Sequence, residues 1–291
     1  MIEDFESWLR RDGKAERTIE SYTADARDFE QWLEESREQA LQDGFSRRDV
    51  TDYRSEIVER LSVSTVNKRV NSLKSLNEFM IERGIMGEMA VITSQDRISI
   101  ARGSSNGVEV FSREDIDELL EYLKSDDSAV SHRDRMIVHL LLYTGLRVTE
   151  MVNLKLDDVD LLAGELEVVG KNQTYRGIPL NSRVKRSIRD YLQHERSRHR
   201  LADKSEHLIL TERSPKAHRD AINKMLKNIE EDLGFEIYPH KFRHTMCTML
   251  LKNGTDIATV ADIAGHRSIE TTHKFYLSTS TEEKRQALES L

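Results

Sequence analysis

A short window near the C-terminus holds His240-Lys241-Phe242-Arg243-His244, then Gly265-His266, then Tyr276. These residue types suit attack on a phosphodiester. A tyrosine hydroxyl can act as nucleophile if cations hold the phosphate oxygens and other groups carry protons to and from the two ester oxygens. Upstream, Thr144-Gly145-Leu146-Arg147-Val148-Thr149-Glu150 supplies a second arginine, and Lys171 an amine. Arginine fits the phosphate because its fork donates two parallel hydrogen bonds and keeps its charge. Lys171 follows Gly170 in a hairpin loop, from which its amine could reach a cleavage point and protonate a leaving 5′ oxygen. His240 and Arg243 are three residues apart and share a helix face. His240 could therefore accept the tyrosine proton or hydrogen-bond the phosphate. Glu150 is expected to hold the site together and not to carry protons.

This set resembles the tyrosine recombinase (phage integrase) family, strongly from about residue 110 to 280 and more loosely over the N-terminal third. The resemblance implies that Arg147 and Arg243 clamp the phosphate, that Lys171 is the general acid, and that His266 bonds a non-bridging oxygen. It also implies that His244 supports the fold and that Tyr276 is the nucleophile, forming a 3′-phosphotyrosyl link. One feature departs from the family pattern. Tyr276 stands ten residues past His266, where the common spacing is nine. One extra residue turns a helix by about 100°, unless the preceding turn absorbs it.

The elements that would position these groups are mostly helical. Through residue 84 the apolar residues recur at helical spacing: Phe5, Trp8 and Leu9, then Ile19, Tyr22, Ala26, Phe29 and Leu33, with Tyr22 expected in the core. Ser46 is a fitting N-cap for a third helix running to about Leu61, and Ser64 or Thr65 for a fourth that ends at Gly84. The fourth helix has an inner stripe of Val66, Val70, Leu73, Leu76 and Met80, and a polar face with Asn67, Lys68, Asn71 and Lys74. A bundle of four short helices follows. Residues 85–110 read as a linker. Ser112 with Asp115 makes a relaxed capping box, and 133–143 is apolar enough to be buried, Tyr143 with it. Two strands, 165–169 and 175–179, flank the hairpin loop, and helices resume near 182–199, 218–232, 241–252, 255–264 and 268–276. Thr281–Leu291 reads as a short helix with Ala287, Leu288 and Leu291 on one side. The expected fold class is mainly α with a small antiparallel β-element. It comprises an N-terminal helical bundle at 1–84, matching the family's SAM-like core-binding domain, a linker at 85–110 and a recombinase-type catalytic domain at 111–291.

Bulk composition bounds the partners. The 291 residues suit two domains. No run approaches 18 apolar residues, so no membrane span is expected; the acidic N-terminus lacks signal-peptide character, and the single Cys247 suits a reducing cytoplasm. The net charge of -8 conceals an asymmetry: residues 104–170 hold 6 Lys/Arg against 15 Asp/Glu, whereas 171–277 hold 20 against 13, with eight of the ten histidines. The basic surplus lies where the candidate site lies, which suits a nucleic-acid partner and, taken alone, equally a solvated charged face; the resemblance implies double-stranded DNA.

Other chemistries fit less well. His240 and His244 have the i,i+4 spacing of zinc ligands, but no Glu completes a His-Glu-x-x-His pattern and Cys247 is alone, so no metal is expected. No Gly-x-x-x-x-Gly-Lys loop is present, and a phosphotyrosyl ester needs no fuel or cofactor to rejoin. The resemblance implies a site-specific recombinase that works through a Holliday junction, as a tetramer on two DNA sites docked through the C-terminal helix. That helix's apolar stripe fits packing at home equally well. Lys68 and Lys74 are expected on phosphates, with Asn67 and Asn71 nearer the bases. A type IB topoisomerase-like enzyme and a non-catalytic DNA-binding relative stay open. The lack of a further arm-binding module points to a simple Xer-type enzyme.

Overall fold

The computed structural model describes residues 1–99, 109–124, 130–170, 174–266 and 272. The chain divides into two compact units, Met1–Ser104 and Ser105–Leu291.

The first unit packs helices α1 (Ile2–Arg11), α2 (Glu16–Arg37), α3 (Arg47–Arg60) and α4 (Val63–Glu82). Each presents its apolar stripe inward, and Phe5, Leu9, Phe29, Leu33, Tyr53, Leu73 and Leu76 are fully buried. Phe29 sits edge-on to both Phe45 and Tyr53, at 5.1 and 5.0 Å between ring centres, the arrangement aromatic quadrupoles prefer. Tyr22 is only half-buried at the edge of this core. Ser46 starts α3 through a capping box with Asp49. The cap of α4 is Ser62, whose hydroxyl accepts from the Thr65 amide, and not Ser64 or Thr65. Cap choice turns on backbone conformation, and only Ser62 has the extended geometry a cap needs.

The first half of the expected linker is bound to this bundle. Residues 86–98 run back across α3 and α4, fixed by four polar side chains, among them Arg54, whose Nε donates to the Asp96 carbonyl at 2.7 Å. Asn77 Oδ1 accepts from the amides of Ala90 and Val91 at 2.7 and 3.1 Å. Arg47 reaches buried Asp96 at 2.6 Å, within the short helix α5 (Thr93–Asp96). Asn67 exchanges two hydrogen bonds with the Ile98 backbone. Ala90 and Val91 join the core.

In the second unit, α6 (Arg113–Tyr122) begins with the expected Ser112–Asp115 capping box. Helix α7 (His132–Thr144) is apolar on most sides and packs against α9 (Ser182–His194) and α11 (Pro239–Lys252). Its Met136, Ile137, Leu140 and Leu141 are fully buried, each burial contributing roughly 1.5–3 kcal/mol; Tyr143 is half-buried. Helix α8 (Val148–Met151) follows a turn at Gly145. A three-stranded antiparallel sheet of β1 (Val159–Asp160), β2 (Glu165–Val169) and β3 (Tyr175–Pro179) comes next. Leu166 faces Ile178 and Val168 faces Arg176 across the β2–β3 pair. Helices α10 (Arg219–Leu233) and α12 (Ile257–Ala264) complete the described part, with α12 packed on both α11 and β3. No helix among the described residues is long and apolar enough to cross a membrane.

Candidate active site

The site gathers at the C-terminal end of α12. The last carbonyls of a helix have no partner inside it, and the helix dipole makes that end negative. Here three consecutive carbonyls each accept from a different arginine. Arg176 Nε donates to Ile263 at 3.3 Å, Arg243 Nη2 donates to Ala264, and Arg147 Nη2 donates to Gly265 at 2.9 Å. Neighbouring residues lie about 3.8 Å apart along the chain, so the guanidiniums of Arg147 and Arg243 are brought side by side. Gly265 ends α12 in the left-handed conformation, at φ 62°, which glycine adopts without penalty. A Cβ there would also stand 2.6 Å from Arg176 Nη1.

Each arginine has a local reason for its place. Arg243 is the fifth residue of α11, a helix opened by Pro239 at its first position, where the missing amide costs nothing. The Arg243 side chain is 5% exposed and also donates to the Gly145 carbonyl at 2.6 Å. Gly145 closes α7 at φ 60°, and a Cβ there would overlap the Met246 methyl. Arg147 caps α8 and bonds Glu150 at 2.7 Å, with its side chain 40% exposed. Of the two clamping arginines predicted from sequence, one is thus a buried anchor and the other faces outward.

Glu150 is 7% exposed. Its carboxylate accepts from the Arg147 amide at 2.9 Å, from Arg147 Nη1 at 2.7 Å, and from both terminal nitrogens of Arg176 at 3.2 and 3.0 Å. Those four bonds fill its acceptor capacity. Burial works against the charge, but the Arg176 and Arg147 bonds prevail and hold the carboxyl below its usual range. Glu150 therefore stays ionised, consistent with a structural carboxylate and not a proton carrier. Arg243 shifts the other way: burial, then Arg147, push its guanidinium down to about 10. It remains charged at neutral pH.

The histidines stand around this core. His266 follows Gly265, and its Nδ1 lies 2.7 Å from the Thr272 hydroxyl. Burial, then Arg243 and Arg147, lower its pKa to about 4, so its ring is neutral near pH 7. When the Thr272 hydroxyl donates to Nδ1, the ring hydrogen sits on Nε2, the tautomer that can donate to a phosphate oxygen. His240 keeps much of its ring in solvent. What burial it has, with Arg243, Arg219 and Arg147, holds its pKa below the ordinary value. A neutral His240 can accept a proton. The His240 and His244 rings are 6.3 Å apart, and His244 hydrogen-bonds the Glu109 backbone, a supporting role. Cys247 is buried, and burial pushes its thiol up to about 11, so it is no nucleophile. No group of three or more His, Cys, Asp or Glu among the described residues is placed to hold a metal.

Lys171 and Tyr276 lie outside the described residues, as do the expected helix at 281–291 and, Thr272 apart, the one at 268–276. Arg176 is the member that sequence reasoning missed. The signal was available: β3 alternates exposed and inward residues, and Arg176 shares the inward face with buried Ile178. A charge on the apolar face of a strand requires a buried partner.

On the bundle, the polar face of α4 differs from expectation. Asn67 is buried and spends its amide on Ile98, so it is a clasp for the chain and not a reader of bases. Lys68 pairs at 3.1 Å with buried Asp25. Lys74 pairs with Glu78 at 3.0 Å, both about half exposed, and Asn71 is half-buried.

The chain matches two family models: the phage integrase family over residues 109–283, and the phage integrase N-terminal SAM-like domain over residues 1–85. A TnP I resolvase of Bacillus thuringiensis is 30% identical over 94% of this chain and 93% of its own length. A tyrosine recombinase XerD of Oceanobacillus iheyensis is 28% identical over 94% and 92%. Among solved structures, the XerH site-specific recombinase bound to a palindromic difH substrate superposes with a TM-score of 0.75. It covers 94% of this chain and 78% of that one at 21% identity, a likeness of fold.

Proposed function

The chain belongs to the phage integrase family, as a Xer-type tyrosine recombinase, and we propose that it cleaves and rejoins double-stranded DNA at specific sites through the α12-centred arginine pair. One observation carries this reading: Arg147 and Arg243 are fixed side by side on adjacent carbonyls, next to His266.

In the proposed reaction, Tyr276 Oη attacks the scissile phosphorus as His240 accepts its proton. Charge building on the non-bridging oxygens is met by Arg147, Arg243 and the His266 Nε2–H. The bond to the 5′ oxygen breaks, and Lys171 protonates that oxygen. A 3′-phosphotyrosyl ester and a 5′ hydroxyl result. The hydroxyl of a partner strand then attacks the ester and releases the tyrosine, so one ester replaces another and no fuel or cofactor is consumed. Two such rounds make and resolve a Holliday junction.

We assign residues 1–84 to a DNA-binding bundle, 85–110 to a connection and 111–291 to catalysis. The bound stretch 86–98 makes the connection shorter than its sequence suggests. Lys74 and Asn71 remain the DNA-facing candidates of α4, while Lys68 is shared with Asp25. The 281–291 segment would dock on a neighbouring copy, giving a tetramer on two DNA sites in the cytoplasm. The relatives named XerD and XerH, the latter seen on a difH substrate, support this reading.

The test is covalent trapping on a nicked suicide duplex built from the DNA sequence recovered in trapped adducts from cells. The wild-type chain is expected to form a denaturant-resistant adduct, and Tyr276→Phe none. An adduct from Tyr276→Phe would place the nucleophile elsewhere. Relaxation of supercoiled DNA without any paired-site recombination would replace the recombinase by a topoisomerase-like enzyme.

A further inference from the structure

We infer that Arg176 is a positioning residue of the recombination site, a third arginine that sets Arg147 and His266 through Glu150 and the end of α12. The inference rests on the recombinase reading above, but the geometry behind it does not. Arg176 grips two things at once. Its fork takes both Glu150 oxygens at 3.2 and 3.0 Å, and its Nε donates to Ile263 O at 3.3 Å. Glu150 in turn fixes Arg147 by backbone amide and guanidinium. Ile263 lies three residues before His266 on the same helix end, and the space beside Gly265 is filled by the Arg176 guanidinium. One side chain thereby ties β3, α8 and α12 together behind the phosphate clamp. Arg176 turns both ends of its fork onto Glu150, so it acts through that carboxylate.

The chemistry explains why an arginine stands there. Glu150 is buried between two cations, and with only Arg147 left it would draw that guanidinium onto itself. A phosphate would then compete with Glu150 for the same nitrogens. Arg176 takes up half of the carboxylate and leaves Arg147 Nη2 on the Gly265 carbonyl, facing the clamp. Lysine offers the charge but not the planar fork. The other charged or titratable groups around Glu150 are Lys155, Asp158, Tyr175, His207 and Lys216, which share a cavity of about 430 Å³ with it, and Arg243, which feels its charge; its four carboxylate hydrogen bonds come from Arg147 and Arg176 alone.

The experiment compares Arg176→Met, Arg176→Lys, Glu150→Gln and the double variant Arg176→Met/Glu150→Gln in the full-length chain. The readouts are adduct formation under single turnover on the suicide duplex, affinity for that duplex, the pH profile, and thermal melting. A displacement of the clamp by about 1 Å costs on the order of 100-fold. Arg176→Met should therefore form adduct about 10- to 100-fold more slowly while its affinity changes by less than about twofold. Its acid limb should move to higher pH, because Glu150 has lost the partner that most favours its charged form. Arg176→Lys should recover part of the rate, and the double variant should show no limb shift relative to Glu150→Gln. Wild-type rate and pH profile in Arg176→Met would overturn the inference. So would a loss that lysine does not relieve and that follows the melting temperature alone. If Arg176→Met does not fold, Arg176→Lys decides: a folded lysine variant with wild-type rate and acid limb overturns the inference. Absence of adduct from the wild-type chain would instead overturn the recombinase reading.

Discussion

The two units hold their cations in opposite ways. In the bundle, Arg37 is matched by Asp49 and Asp52, Arg47 by Asp96, Lys68 by Asp25, and Arg69 by Asp28. At the end of α12, three arginines each donate to a backbone carbonyl, Arg243 to two of them, while Arg147 and Arg176 share one carboxylate, Glu150. A carboxylate cancels the field of the cation it fixes, whereas a carbonyl fixes the cation and leaves its field for an incoming phosphate. Arginine is thus spent on the fold in one unit and, in the proposed reaction, keeps its field for a phosphate in the other, and the net charge of -8 reports neither.

The comparison can be broken most sharply at Arg243. Arg243→Ala should slow adduct formation about 100- to 1,000-fold, the usual cost of one transition-state donor. Single-turnover trapping checks this, and a loss under tenfold would show that the buried arginine is only structural. Next comes Gly265→Ala, which forces a side chain into a left-handed residue and against Arg176. It should destabilise the chain by about 1–2 kcal/mol and slow adduct formation about tenfold; urea melts and trapping together measure both. Arg69→Ala is the counterpart in the bundle. It leaves Asp28 and the Tyr53 hydroxyl without their arginine, and should cost about 1–3 kcal/mol of stability with no change in trapping at saturating DNA.

A smaller effect is expected from pH. The folded-state pKa of His266 is about 4 against roughly 6.5 when unfolded. Between those values the unfolded chain binds the extra proton, so stability falls as pH drops from 6.5 towards 4. His266→Gln should flatten part of that slope in thermal melts recorded across this range. Smallest is Lys74→Ala, which should lower the slope of log affinity against log salt by about one.

Much of this was legible because local signals and tertiary structure agree. The cap at Ser46, the capping box at Ser112, the strands at 165–169 and 175–179, and the stripe of α4 are set by hydrogen bonds and periodicity within a few residues. The clustering of Arg147, His240, Arg243 and His266 followed from a resemblance of residue pattern. What escaped was long-range. Asn67 and Asn77 look like solvated residues of a helix face until the chain at 86–98 returns to meet them. The carbonyls at 263–265 carry no side-chain signature at all, so a backbone hub for three arginines is invisible in a string of letters. Arg176 lay between these cases, betrayed only by a charge on the inward face of a strand.

The central claim is that the arginine pair at α12 serves a tyrosine that bonds covalently to DNA. Mass spectrometry of the nuclease-trimmed peptide from a trapped adduct tests it most directly. The account predicts a nucleotide-bearing peptide modified at Tyr276, in amounts that fall with Arg243→Ala. A modification at the exposed Tyr175 or at any other residue, or an adduct indifferent to Arg243, would contradict it.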